Sequence, residues 1–170
     1  MQKLFKNLDF KPSSVSDEGT FSGYASVFNI EDSHSDIILP GAFTNTLDRK
    51  IKLLWQHEPS SPIGNVISLQ EDSKGLFVDA KLNLKTALGR EAYELLKEGN
   101  IDGLSIGFIV RDYYYDKLGR RCIAALDLYE ISVVTFPSNE ESKVIEVKEF
   151  DAQISELSRQ LDKLISAMGL

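Results

Sequence analysis

The apolar positions of this chain recur mostly with a period of two. "GLFVDAKLNL" (75–84) is the clearest stretch, with Leu76, Val78, Ala80, Leu82 and Leu84 on one face of a predicted strand. "FSGYASVFN" (21–29) alternates around Gly23 and Ala25, and "IKLLWQHE" (51–58) is apolar until it breaks at Glu58-Pro59. Two longer runs, 104–115 and 121–135, flank "DKLGR", where Asp116 and Gly119 supply turn chemistry. Helical spacing is rarer. Thr86 is an N-cap candidate for "TALGREAYELLKEGN", which turns Leu88, Ala92, Leu95 and Leu96 inward and stops at Gly99. Pro40–Arg49 is a shorter helix candidate, with Phe43 and Leu47 one turn apart. Near the end, Ile154, Leu157, Leu161, Leu164 and Met168 are spaced 3, 4, 3 and 4, a heptad seam on an otherwise polar helix. Glu140–Glu149 reads as the acidic connection into it. The pattern predicts an α+β, mostly β protein: an antiparallel β core with a few flanking helices over residues 1–145, then a helical tail over 146–170 for docking, oligomerisation or processing.

Composition trims the list of partners. The 170 residues carry a net charge of -7, with no basic stripe interleaved with aromatics, which argues against nucleic acid as a direct ligand. The single cysteine, Cys122, excludes an internal disulfide and a Cys-based zinc cluster, and fits a reducing compartment. No apolar run approaches the roughly 18 residues of a membrane span, and "MQKLFKNLDF" lacks a secretory apolar region.

Candidate chemistry begins with "GLSIGF" (103–108). Leu104, Ile106 and Phe108 make an apolar strand face, whereas the opposite face offers Ser105 beside the gap of Gly107. Either the hydroxyl is a satisfied core serine, or something approaches it closely. His57 ends a predicted strand, on the side of Leu53 and Trp55. Glu130, in "DLYEISVVTFP", shares a predicted strand face with Leu126, Leu128, Ser132 and Val134. A buried, unpaired carboxylate there costs several kcal/mol, so Glu130 faces solvent or has a partner, and a histidine is a natural one. A Ser–His–acid triad drawn from three strands is one reading of these residues; ordinary structural roles are the other. Asp32, His34 and Asp36 in "EDSHSD" have spacing that could clasp a divalent ion, but a hydrophilic loop explains them more simply, and no cofactor is required. Cys122 could pair with a histidine, yet it follows Arg120-Arg121 just past a turn. Tyr113, Tyr114 and Tyr115 suggest a stacking patch, and a hairpin surface accounts for them equally.

Several blocks, taken in order, carry a resemblance: "FSGYASVFNIEDSHSDIILPGAF", "IKLLWQHEPSSPIGNV", "GLFVDAKL", "LKEGNIDGLSIGF" and "LYEISVVTFPSNEES". The chain resembles the prohead (capsid maturation) proteases of tailed phages, which share an assemblin-like β-barrel with herpesvirus maturation proteases. The resemblance implies a serine endopeptidase in which His57, of the "QH" block, and Ser105, of "LSIGF", are catalytic. It implies Glu130 as third member, because its offset of 25 residues from the serine resembles the herpesvirus arrangement, where a histidine takes this role. Glu140 and Glu141 are the alternatives. Oxyanion donors, by position, are backbone amides near Ser138 and Asn139, and Gly107 leaves room for a substrate backbone. The implied partners are the major capsid protein, its scaffold segment and a second protease copy, inside an assembling procapsid in the host cytoplasm. A second reading is an inactive, scaffold-like assembly protein that docks through residues 150–170. The presence of both His57 and Ser105 favours the enzyme.

Overall fold

The computed structural model describes residues 19–147, which form β1 (Thr20–Val27), β2 (Asp36–Ile38), β3 (Lys52–Trp55), β4 (Glu58–Glu71), β5 (Gly75–Leu82), α1 (Ala87–Lys97), β6 (Gly103–Tyr115), β7 (Arg121–Val134) and β8 (Val144–Val147). The heptad seam at 154–168 lies outside the described residues. One sheet contains every described strand, in the order β2-β7-β3-β4-β5-β1-β8, with β6 paired to β7. Because β6 runs along β7 from Arg121 to Val134, β2 and β3 must share the other edge of β7, end to end. The sheet curls until its ends touch. Leu104 N–H donates to the Ser142 carbonyl and Val144 N–H to the Asp102 carbonyl, each at 2.9 Å, beside the bridge between Gly103 and Lys143.

The alternation in β5 does what its period requires: Leu76, Val78, Ala80 and Leu82 are all buried, together with Phe21, Phe43, Leu53, Ile63, Leu104, Ile123 and Ile131 in one core. Helix α1 closes this core. Its first turn is capped by Thr86 Oγ1, which accepts Gly89 N–H at 3.1 Å, and the chain leaves it at Gly99 with φ +68°. Gly89, Ala92, Tyr93 and Leu96 are its buried residues, while Leu88 and Leu95 are only half-buried.

Four features differ from the sequence pattern. The sheet is mainly antiparallel, but β2 and β3 pair with β7 in parallel, which local periodicity does not encode. Strand β4 is a long arm that the pattern leaves unassigned, because Pro59, Pro62 and Gly64 interrupt it and Ile63 is its single buried residue. Gly64 is there for contact: a Cβ would collide with the Lys81 carbonyl across the β4–β5 pair. Pro40–Arg49 is a chain of turns rather than a helix. Thr44 and Thr46 hydroxyls donate to the carbonyls of Gly41 and Phe43, and the N–H groups of Gly41 and Phe43 donate to the Glu71 carboxylate, competing with a helical ladder. Finally, part of the expected connection at Glu140–Glu149 is β8, so the sheet continues to Val147.

Candidate active site

The C-terminal half of β7 lies between β6 and β3, and this places three separated pieces of sequence side by side. Ser105 is directly opposite Ser132, and Gly107 is opposite Glu130; on the other edge, Leu54 and Trp55 run beside Ser132 and Val133. A bulge sets the facing. Phe108 pairs with Leu128 but Gly107 pairs with Glu130, leaving Tyr129 as the extra residue. The core face therefore changes phase across Tyr129, from Leu126 and Leu128 to Ile131 and Val133. Glu130 does not share a face with Leu126 and Leu128, as simple alternation expects. It lies with Ser132, Ser105 and Gly107 on the side away from the core, since directly opposed residues share a face.

His57 is not at the end of a strand, facing with Leu53 and Trp55. It occupies the two-residue turn between Trp55 and Glu58, where Gln56 has φ 52° and His57 φ 61°. Two consecutive left-handed residues are the geometry of a type I′ hairpin turn, which glycine and asparagine normally supply. The neighbouring β7 holds this turn in place. Gln56 N–H donates to the Val133 carbonyl at 3.0 Å, Gln56 Nε2 to Thr135 Oγ1 at 2.8 Å, and Thr135 N–H to Gln56 Oε1 at 3.2 Å. His57 N–H donates to Ser132 Oγ at 3.0 Å.

The turn delivers the imidazole to the acid. His57 Nδ1 is 2.6 Å from Glu130 Oε1, and because a carboxylate only accepts, Nδ1 carries the proton and Nε2 is left as the basic nitrogen. The other carboxylate oxygen, Oε2, accepts the Ser132 hydroxyl at 2.7 Å. The His57 side chain is 42% exposed and that of Glu130 14%. The hydrogen bond to Glu130 raises the pKa of His57 above its ordinary value; the carboxylate's charge adds to this and partial burial opposes it. The gap at Gly107 has an occupant. A Cβ there would overlap Glu130 Oε1 and lie 2.8 Å from Glu130 Cγ, so the missing side chain makes room for the acid rather than for a substrate backbone.

Ser105, 7% exposed, and His57 line one cavity of about 270 Å³, with Ser138 and Asn139 on the same wall system. The loop carrying them is anchored on both sides: Asn139 Nδ2 donates to the Val27 carbonyl at 2.9 Å, and Ser33 N–H donates to the Ser138 carbonyl at 3.0 Å. Asp32, His34 and Asp36 also border this cavity, but their acids are engaged. Asp32 Oδ1 accepts the N–H groups of His34 and Asp36, and Asp36 is paired with Arg121. Glu140 and Glu141 are exposed in the loop and Glu130 is the acid at His57. Cys122 is buried and does not line the cavity, while Tyr113, Tyr114 and Tyr115 are exposed on the β6–β7 hairpin. The residues that sequence reasoning missed are Ser132, Gln56 and Thr135. Their signal was present only as the polar interruptions in "WQH" and "EISVVT", which take on meaning once β3 is known to pair with β7.

Known proteins share both the sequence and this architecture. The chain is 38% identical over 162 residues to the prohead protease of Enterobacteria phage HK97, covering 89% of this chain and 72% of that protein. It is 31% identical over 137 residues to the prohead protease of Escherichia phage T5, covering 76% and 64% respectively. It also matches, at 32% identity, 16% of a capsid polyprotein of Pseudomonas phage PAJU2, through 61% of its own length. Among solved structures, the capsid assembly protease of bacteriophage T4 superposes with a TM-score of 0.55 at 10% identity, over 69% of this chain and 82% of that one. KSHV protease, in complex with a hexapeptide phosphonate inhibitor, superposes with a TM-score of 0.52 at 14% identity, over 74% and 63%. These two establish a shared fold. The family model described as the caudovirus prohead serine protease matches residues 6–156, and the chain belongs to that family.

Proposed function

We propose that this protein is a serine endopeptidase that cleaves the major capsid protein and its scaffold segment inside the assembling prohead, and also processes itself. Ser105 is the nucleophile, His57 the general base and Glu130 the orienting acid. The observation that carries this reading is the 2.6 Å contact of His57 Nδ1 with Glu130 Oε1 beside a cavity that Ser105 also lines. The protonated Nδ1 leaves Nε2 free to take the Ser105 hydroxyl proton as Oγ attacks the scissile carbonyl. The imidazolium then returns that proton to the leaving amine, and water attacks the acyl-enzyme by the same route in reverse. Glu130 offsets the charge that His57 gains in each step.

The developing oxyanion needs donors, each worth about 3 kcal/mol on the usual mutagenesis scale. The backbone N–H groups of Ser138 and Asn139 suit this role, because both residues border the cavity and neither amide has a hydrogen-bond partner among the described residues. Gly107 contributes indirectly, by admitting the Glu130 carboxylate. Similarity to a protein named a capsid polyprotein supports capsid protein as the substrate. The tail seam supports self-association or docking on a scaffold helix, in the procapsid within the host cytoplasm. The test is co-expression with the neighbouring capsid gene, followed by mass spectrometry of the fragments. Defined capsid fragments with the parent chain, and intact capsid protein with Ser105→Ala, are expected. Equal processing by Ser105→Ala would overturn the assignment.

A further inference from the structure

We infer that Ser132 is a positioning residue of this site, whose hydroxyl ties the carboxylate of Glu130 to the backbone of His57 and so orients the pair. The inference deepens the proposed function and rests on its reading of His57 and Glu130.

Ser132 is fully buried on β7, directly opposite Ser105. A hydroxyl at such a position carries a desolvation cost that a valine would not, unless its hydrogen bonds are made. Both are made within the site. Its oxygen accepts His57 N–H at 3.0 Å and its proton goes to Glu130 Oε2 at 2.7 Å. The direction of the second bond is dictated, since an ionised carboxylate has no proton to give. Glu130 is thereby held by both oxygens, Oε2 on Ser132 and Oε1 on His57. The terminal torsion of a glutamate is otherwise broad, so without Ser132 the plane of the carboxylate is free to turn away from Nδ1. The first bond matters equally, because His57 sits at φ 61° in a turn of two left-handed residues, and its N–H is one of the ties that keep it there. One hydroxyl thus sets the separation between the backbone of the base and the head group of the acid.

The titratable groups around His57 are Glu130 on β7, Glu58 beside it on β4, and Asp32 and His34 across the cavity; Asp36 is paired with Arg121. His34 is the only other histidine in the chain, so His34→Gln assigns the imidazole signals without ambiguity. In a Ser105→Ala background, which stops turnover, the His57 midpoint is titrated by NMR in the parent, Ser132→Ala, Ser132→Cys and Glu130→Gln. Ser132→Ala is expected to lower the midpoint part of the way that Glu130→Gln does. In the Ser105-intact enzyme, Ser132→Ala is expected to lower kcat by about 10- to 100-fold with KM little changed, as for partial loss of base orientation. The acid limb of kcat/KM should move with the midpoint, and Ser132→Thr, which keeps the hydroxyl, should recover most of the loss. Destabilisation alone would reduce the active fraction without moving either midpoint or limb. Ser132→Cys keeps the volume with a much weaker donor, and gives the answer if the alanine variant does not fold. A His57 midpoint unmoved by Ser132→Ala or Ser132→Cys, while Glu130→Gln moves it, overturns the role of Ser132 alone. A midpoint unmoved by Glu130→Gln overturns the His57–Glu130 reading and this inference with it.

Discussion

At the scale of single residues, the site is a set of hydrogen bonds whose directions are set by chemistry. His57 shares its Nδ1 proton with Glu130, which raises the imidazole pKa. Only the neutral ring can act as base, so kcat/KM should fall as the pH drops through this raised value. Glu130→Gln removes both the charge-assisted bond and the Coulombic attraction while partial burial remains, so the acid limb should shift to lower pH. Its rate should fall by about 10² to 10³, less than the roughly 10⁴ of a fully enclosed triad acid, because His57 is 42% exposed. Glu140→Gln and Glu141→Gln should stay within a few-fold of the parent, as solvated loop carboxylates contribute little. Single-turnover cleavage of a capsid-derived peptide over a pH series checks all three. The same linkage predicts the stability: the ion pair stabilises the fold below the unfolded histidine pKa, and this contribution is lost as the pH rises through the raised folded value. Gly107→Ala is a sharper probe. Its new methyl needs the space of the Glu130 carboxylate, so the acid must swing away from His57. Peptide cleavage should fall by about 10- to 100-fold, a fraction of the acid's full worth, while circular dichroism stays that of the parent. A Gly107→Ala enzyme with undiminished kcat would mean that Glu130 does not act from the position above Gly107.

At the scale of elements, two irregularities shape the site, and both escape a period-two reading. The bulge at Tyr129 turns Glu130 and Ser132 away from the core, and the turn at Gln56–His57 lifts the imidazole over β7. The turn depends on its clamp. Thr135→Val removes the hydroxyl that accepts from Gln56 Nε2 but leaves the strand backbone, so it should lower kcat by a few-fold while the melting temperature changes little. Helix α1 is the contrasting case. Thr86→Ala should cost about 1 kcal/mol of stability through loss of the N-cap. Activity per folded molecule should be unchanged, because α1 packs on β4 and β5 rather than against the cavity. Denaturant unfolding and active-site titration of the same preparations separate the two effects.

At the scale of the whole molecule, the curled sheet gathers what the sequence keeps far apart: His57, Ser105 and Glu130 come from β3–β4, β6 and β7, on strands that are neighbours only after folding. The heptad seam expected at Ile154–Met168 lies outside the described residues, and mutation tests its role. Leu157→Asp with Leu164→Asp should weaken self-association or scaffold binding, since charges at heptad core positions oppose helix pairing. Hydrolysis of a short exposed peptide should be less affected. Sedimentation and capsid-protein pull-down, compared with peptide turnover, check this; unchanged mass and unchanged binding would deny the tail such a role.

What the sequence determined by itself was local or motif-borne. The alternation of β5, the Thr86 cap and Gly99 stop, and the turn chemistry of Asp116 and Gly119 all depend on neighbours within a few residues, so they were legible. Resemblance of the blocks around "QH" and "GLSIGF" to the prohead proteases singled out His57 and Ser105, where spacing alone leaves ordinary structural roles open. Tertiary structure alone decided the rest. The sequence names Glu130 with Glu140 and Glu141 as alternatives; it is the parallel pairing of β3 with β7, and a bulge in β7, that bring the Glu130 carboxylate to His57. Gly107 makes room for the Glu130 carboxylate, and the Ser132 hydroxyl bridges Glu130 and the His57 backbone, through contacts that no local pattern encodes. Side-chain periodicity says which residues prefer water or core. Which strand lies beside which, and in what register, is settled by the burial of all strands at once.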